Sequence, residues 1–269
     1  MKSRVRLGAT LGLIGSAVIG SSFIGSVRVL ALPQEQVVQK LGAVPVFTIT
    51  DNKGAPLVAS VNNGQKQGSV TGVFINQRDA QAFIDQLKTK NPQLASTVRV
   101  VPVSLGEVYK LEQTNQKKPK ALDFAYVPAK QEVDAALALL QQTGQKVNSF
   151  NGTPLFVAKA GAKQKGYLTL RRNNQEVIPF FFKKQELQSM VDNFKQQQPK
   201  LASTVEIEVV NLEGVIQTLK TSNNQQLKQI ELVPPRESIE FVRSLQPSTA
   251  QNQNRPAATP SKAPQSPQR

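Results

Sequence analysis

The sequence predicts an α/β (α+β) fold, built as two pseudo-twofold related repeats of mixed sheet packed with helices and forming a bilobed molecule. One observation is that the chain reads nearly the same twice. QLASTVRVVPVSL from Gln93 returns as KLASTVEIEVVNL from Lys200, and the register, a shift of 107, holds outward. It pairs Val70 with Val177, Phe74 with Phe181, Asp85 with Asp192 and Pro92 with Pro199. With small slips in the loops it also places PVFTI from Pro45 opposite PLFVA from Pro154, and Val127-Pro128 opposite Val233-Pro234. A period of about 100 residues is far longer than that of solenoids and propellers, so it marks a duplicated fold unit. A second observation is that short apolar strand patterns alternate with helical ones inside each repeat, which asks for helices layered on a sheet. A third is that both ends are unlike the body in composition.

Each repeat reads as strand, strand, strand, helix, strand, helix, strand, helix. In the first, VPVFTIT from Val44 alternates apolar residues and leads through DNKG to a short strand at Pro56 to Ser60, a hairpin signal. Val70 to Ile75 is a third strand. Asn76 follows as a helix cap, and Ala80, Phe83, Ile84 and Leu87 fall on one stripe at helical spacing. Leu187, Met190, Val191 and Phe194 hold the same places in the second repeat. The Asn91-Pro92 pair ends the first of these helices, because the residue before proline is pushed out of helical geometry. Thr97 to Val103 is the next strand, and SLGE at Ser104 to Glu107 has the spacing of a capping box. LDFAYV from Leu122 is a strand, and QEVDAALALLQQTG a helix closing on Gly144.

Residues 1–31 form a separate object. Lys2, Arg4 and Arg6 precede an uncharged stretch from Leu7 to Val27, and Val29-Leu30-Ala31 offers small residues where a signal peptidase reads. This is the pattern of a secretory signal peptide, although the stretch is long enough for an uncleaved anchor. Residues 246–269 are rich in Pro, Gln, Ser and Ala without a bulky apolar residue, so their composition predicts disorder. The first α/β repeat then occupies 32–147 and the second 148–245. The formal net charge of +15 includes four leader and three tail cations, which leaves a body near +8.

The chain contains no cysteine and no histidine. Thiolate nucleophiles, disulfides, iron-sulfur clusters, imidazole bases and the usual zinc sites are therefore excluded, and carboxylate or lysine chemistry is what remains. Neither a cofactor nor a metal is expected. Glu206 and Glu208 share a strand face, but their repeat counterparts are Arg99 and Val101, so a solvated face explains them better than acid-base chemistry. Basic pairs at Lys117-Lys118, Arg171-Arg172 and Lys183-Lys184 could meet anionic headgroups in a peripheral membrane contact. No nucleic-acid motif accompanies the pI of about 10.1, and no nucleic-acid partner is expected.

The strand pair Val73-Phe74-Ile75 and Phe180-Phe181-Phe182 carries the functional expectation. Alternation sends Phe180 and Phe182 to one face and Phe181 to the other, as it does Val73 and Ile75 against Phe74. The strands are thus apolar on both faces. Either a helix covers one face and the other repeat the second, or the second face lines an open groove that binds polypeptide. These six residues are the candidate polypeptide-binding site.

LGAVPVFTIT from Leu41, GVFI from Gly72, KNPQLASTVRVVPVSLGEVY from Lys90 and AYVPA from Ala125 together resemble one family. It is the twenty-two-kilodalton subunit of the translocon at the inner envelope of chloroplasts, with its cyanobacterial relatives; the short bacterial-type signal fits the cyanobacterial branch. The resemblance spans Leu32 to Leu245. It implies a two-lobed molecule with apolar pockets, acting without enzymatic activity as a chaperone-like factor. The implied partners are unfolded or translocating polypeptides and an outer-membrane barrel assembly protein. The implied address is the periplasm or thylakoid lumen, or the chloroplast intermembrane space in a plastid-derived member. The competing reading is a scaffold that docks onto a folded domain of an outer-membrane assembly or translocation protein.

Overall fold

The computed structural model describes residues 11–13, 32–62, 67–115, 121–162, 164–222 and 224–246. The predicted leader, apart from 11–13, and the predicted tail after Gln246 lie outside the described residues. In chain order the elements are β1 (Leu11–Leu13), α1 (Gln34–Gly42), β2 (Pro45–Asp51), β3 (Val58–Asn62), β4 (Gln67–Phe74), α2 (Gln77–Lys90), α3 (Pro92–Ala95), β5 (Val98–Ser104), α4 (Leu105–Asn115), β6 (Leu122–Val127) and α5 (Lys130–Gln142). The second half continues with β7 (Pro154–Ala160), β8 (Gly166–Arg172), β9 (Gln175–Phe181), α6 (Lys184–Gln197), β10 (Glu206–Asn211), α7 (Leu212–Thr221), β11 (Ile230–Val233) and α8 (Arg236–Ser244). Two 3-10 turns, Pro199–Thr204 and Gln225–Gln229, complete it.

The duplication is visible in the strand register. In the first sheet β2 pairs antiparallel with β5, meets β4 only at Phe47–Phe74, and β4 takes β3 antiparallel and β6 parallel. The second sheet repeats this: β7 pairs with β10, meets β9 only at Phe156–Phe181, and β9 takes β8 antiparallel and β11 parallel. Corresponding turns bond alike, with Leu105 N donating to the Val44 carbonyl at 2.9 Å and Leu212 N to the Thr153 carbonyl at 2.8 Å.

Each sheet has an inner and an outer face, because side chains alternate. The inner faces share one cluster, in which Val46, Val73, Ile75, Leu155, Val157, Phe180 and Phe182 pack with α1, α4 and α7. The outer face of the second sheet is covered by α6, through Leu187, Val191 and Phe194, and by Ala136 of α5. The outer face of the first is covered by α2, through Ala80 and Ile84, and by Phe241 of α8, whose ring meets Phe47 edge-on at 5.6 Å between centroids. The final helix of each repeat therefore packs on the other repeat's sheet. The division at 147/148 follows the sequence repeat, while α5 and α8 cross it.

Several local expectations are refined. Gly144, with φ of 83°, follows the end of α5 in the left-handed conformation a helix stop requires. Phe83 stays 44% exposed, although it sits on the predicted stripe and its ring leans on Phe74 at 5.8 Å. Ser104 caps α4 differently from a capping box: its hydroxyl accepts from Gly106 N and donates to the Gly42 carbonyl, both at 3.1 Å. That second bond ties α4 to α1, a helix the repeat pattern does not contain. The close approach needs Gly106, where a Cβ would sit 2.5 Å from the Val38 carbonyl oxygen.

Candidate functional site

All six candidate residues are buried, at 1% to 7% exposure. Of the two expected arrangements, the one with both strand faces covered is found. Phe74 lies in the outer cluster of the first sheet, Phe181 in that of the second, and Val73, Ile75, Phe180 and Phe182 in the shared inner cluster. What the fold offers instead of an open groove is a pair of cavities whose walls include three of the six.

The larger cavity, about 380 Å³, lies in the second repeat and is bordered by Phe180. Ile178 and Phe180 of β9, with Val215 of α7 and Leu227, are buried apolar lining; Thr218 and Asn224 are exposed at its mouth, with Asn211 and Gln226 half-buried. The rim is neutral and amide-rich, the interior apolar. Tyr167 of β8 closes one side, its ring tilted against Phe180 at 6.1 Å and the Lys159 ammonium 4.7 Å from its centroid. The combination suits an apolar side chain carried on a polar backbone, because the rim can bond peptide groups while the interior accepts what the backbone presents.

The smaller cavity, about 210 Å³, sits where the repeats meet and is bordered by Ile75 and Phe182. It is more charged. Lys183, just before α6, pairs with Glu237 of α8 at 2.9 Å, both partly exposed. The Glu132 carboxylate of α5 accepts from Lys184 N at 3.0 Å and so caps α6, whose own cap position, Lys183, offers no acceptor. Burial pushes the Glu132 carboxyl above the usual range, opposed by the Lys184 hydrogen bond and the Lys183 charge. The Thr153 hydroxyl lines the same cavity, buried without a hydrogen-bond partner. A half-buried polar pair, Glu112 and Tyr126, lies where α4 meets β6; partial burial raises the pKa of both, and the Glu112 charge adds to the shift on Tyr126.

The other sequence candidates resolve simply. Glu206 pairs with Lys165 and Glu208 with Lys159, and Arg172 of the basic doublet pairs with Glu231. Lys117-Lys118 lies outside the described residues. Among the described residues no group of three or more acids could hold a metal ion, and no helix is long and apolar enough to cross a membrane. Sequence reasoning missed the larger cavity's rim and Glu132. The only signal for the rim was the polar run after α7, and Glu132 stood in an ordinary amphipathic helix.

Comparison with known proteins bears directly on this architecture. The solved structure of Anabaena Tic22, a protein of protein transport, superposes with a TM-score of 0.72 at 35% identity over 80% of this chain and 98% of that one. Two Arabidopsis thaliana proteins are similar in sequence. Protein TIC 22-like, chloroplastic, is 24% identical over 209 residues, 76% of this chain and 62% of its own length. Protein TIC 22, chloroplastic, is 26% identical over 200 residues, 74% of this chain and 67% of its own length. The chain thus spans under two thirds of the first of these relatives. A family model described as the Tic22-like family matches residues 1–244. With the duplicated α+β architecture and nearly the whole chain matched, the protein belongs to the Tic22-like family, which is linked to protein transport.

Proposed function

We propose that this protein is a non-enzymatic, exported, chaperone-like factor. It holds unfolded or translocating polypeptides in the periplasm or thylakoid lumen and serves outer-membrane barrel biogenesis beside a barrel assembly protein. The observation that carries this reading is the apolar cavity bordered by Phe180, open through a neutral rim of Thr218 and Asn224. One client Leu or Phe side chain buried there contributes about 2 to 3 kcal/mol. Ordering the client consumes part of that, so binding is weak, promiscuous and reversible, as transit requires. Of the six candidate residues, Phe180 walls this cavity and Ile75 and Phe182 wall the second, while Val73, Phe74 and Phe181 support those walls from within the core.

Thr218→Trp tests the reading without touching the core, because residue 218 is exposed on α7 at the mouth. The full chain, added in excess to an unfolded outer-membrane barrel protein, is expected to suppress light scattering on dilution from denaturant. Thr218→Trp should suppress it several-fold less, with unchanged circular dichroism, and Thr218→Ala as well as the parent. Failure of the parent to suppress would leave the folded-partner scaffold as the better reading. Full activity in a folded Thr218→Trp variant would remove the cavity from the account.

A further inference from the structure

The two sheets differ at one edge. In the first, β3 pairs with β4 and, among the described residues, with no other strand, the segment just before it meeting β2 at the Thr50–Pro56 bridge; Val58 and Val61 of β3 stand 48% and 38% exposed. In the second, the corresponding strand β8 is not left so. It pairs with β7 at Gly166 and Tyr167, with β9 from Leu170 to Arg172, and between and beside these it carries β1 antiparallel, with Leu11, Gly12 and Leu13 opposite Leu170, Thr169 and Leu168. The added strand comes from the uncharged apolar stretch Leu7 to Val27, the part of the sequence read as a targeting leader.

An unpaired strand edge presents a row of N–H and C=O groups that an extended chain can match. We propose that the β8 edge over Leu168–Leu170 is a strand-addition site for extended, uncharged apolar segments of client polypeptides, and that this chain's own Leu11–Leu13 occupies it as a stand-in for such a segment. Main-chain pairing supplies affinity that is blind to sequence, and a neighbouring pocket for alternate side chains supplies the preference for apolar ones. That pocket is contiguous with the edge: Tyr167, the residue before the paired run, lines the larger cavity. An added strand would therefore run past the cavity wall, with alternate side chains on the cavity's side of the sheet. The inference rests on the polypeptide-binding reading above and specifies its geometry. The occupant is an extended strand rather than a helix or a folded domain, and release of the chain's own segment is what opens the site.

The test uses the full chain and the triple variant Leu11→Pro, Gly12→Pro, Leu13→Pro, which lacks every donor β1 could offer. Amide exchange is followed over Leu168–Leu170, with a synthetic peptide of the sequence of residues 7–14 as probe. The variant is expected to lose protection there by about tenfold, to bind the peptide more tightly than the parent, and to recover protection when it does. Unchanged protection in the variant, or peptide binding that leaves Leu168–Leu170 unprotected, overturns the edge site while leaving cavity binding intact. Absence of binding to the peptide and to unfolded barrel protein alike overturns both.

Discussion

The first turns of α2 and α6 occupy the same place in the two repeats and are finished in opposite ways. Asn76 caps α2 with its own side chain, accepting from Asp79 N at 2.8 Å, while its amide donates to the Asp79 carboxylate at 2.8 Å. The corresponding residue before α6 is Lys183, which cannot accept, and Glu132 from the exchanged helix α5 supplies the acceptor. Near the N-terminal end of α8, at the place corresponding to Glu132, stands Ser238, buried, with its hydroxyl donating to the Ile75 carbonyl at 3.4 Å beside α2. A self-sufficient helix start in one repeat thus corresponds to a borrowed one in the other. Duplicated units diverge most freely where a partner can take over a lost hydrogen bond, and doing so makes the second repeat depend on the first.

Separating the repeats should show the largest effect. Fragments 32–147 and 148–245, each deprived of the other's cover helix, are expected to show little cooperative unfolding by circular dichroism, since Phe241 is missing from the first sheet and Ala136 from the second. A fragment that melts cooperatively on its own would show that the exchange is ornamental to stability.

Next in size, Glu132→Ala should cost about 1 to 3 kcal/mol in urea unfolding, because it strands the α6 terminus inside the protein. Asn76→Ala should cost about 1 kcal/mol. Adding Lys183→Asn to Glu132→Ala should recover much of the loss by restoring the first repeat's solution, and no recovery would mean that Glu132 acts through something other than the cap. Glu132 also gives a pH signature. Its folded-state pKa is raised, so its contribution is fully present below the unfolded value and declines as pH rises through the folded one. The parent should gain stability on mild acidification from neutral pH, and Glu132→Gln should gain less.

The smallest effect is expected at Thr153. Its repeat counterpart Val44 is buried and apolar, whereas the Thr153 hydroxyl is buried without a partner. Thr153→Val should be neutral or stabilising by up to about 1 kcal/mol, read as a shift in the urea midpoint. A clear loss would place a bound water at that hydroxyl in the smaller cavity.

The repeat itself was legible because residues such as Phe74 and Phe181 recur in one register, and the succession of strands and helices along each repeat follows from its alternating apolar patterns. The exchange of α5 and α8 was not legible. A helix's apolar period states that Ala136 faces a sheet, not which of two equivalent sheets it faces. Helix α1 was missed because it has no repeat counterpart, and only Val37 and Leu41 mark its buried side. The Phe180–Phe182 run stands out in the sequence, but alternation shows only that both of its faces are apolar. Whether a face is open depends on distant residues, here Thr218 on α7 and Asn224 in the loop after it, whose polarity reads locally as ordinary solvent exposure.

The exchanged helices also govern when the molecule can be finished as it is made. A chain that emerges from its N-terminus completes β2 to β6 early, yet Phe47 waits for Phe241, close to the end of the folded body. Until then the part of the first sheet's outer face that α2 does not cover stays open to whatever surrounds it, a state prone to mispairing. A protein threaded across a membrane in that order would pass through a stage in which it is itself a client, and it would stop being one only when its last helix arrives.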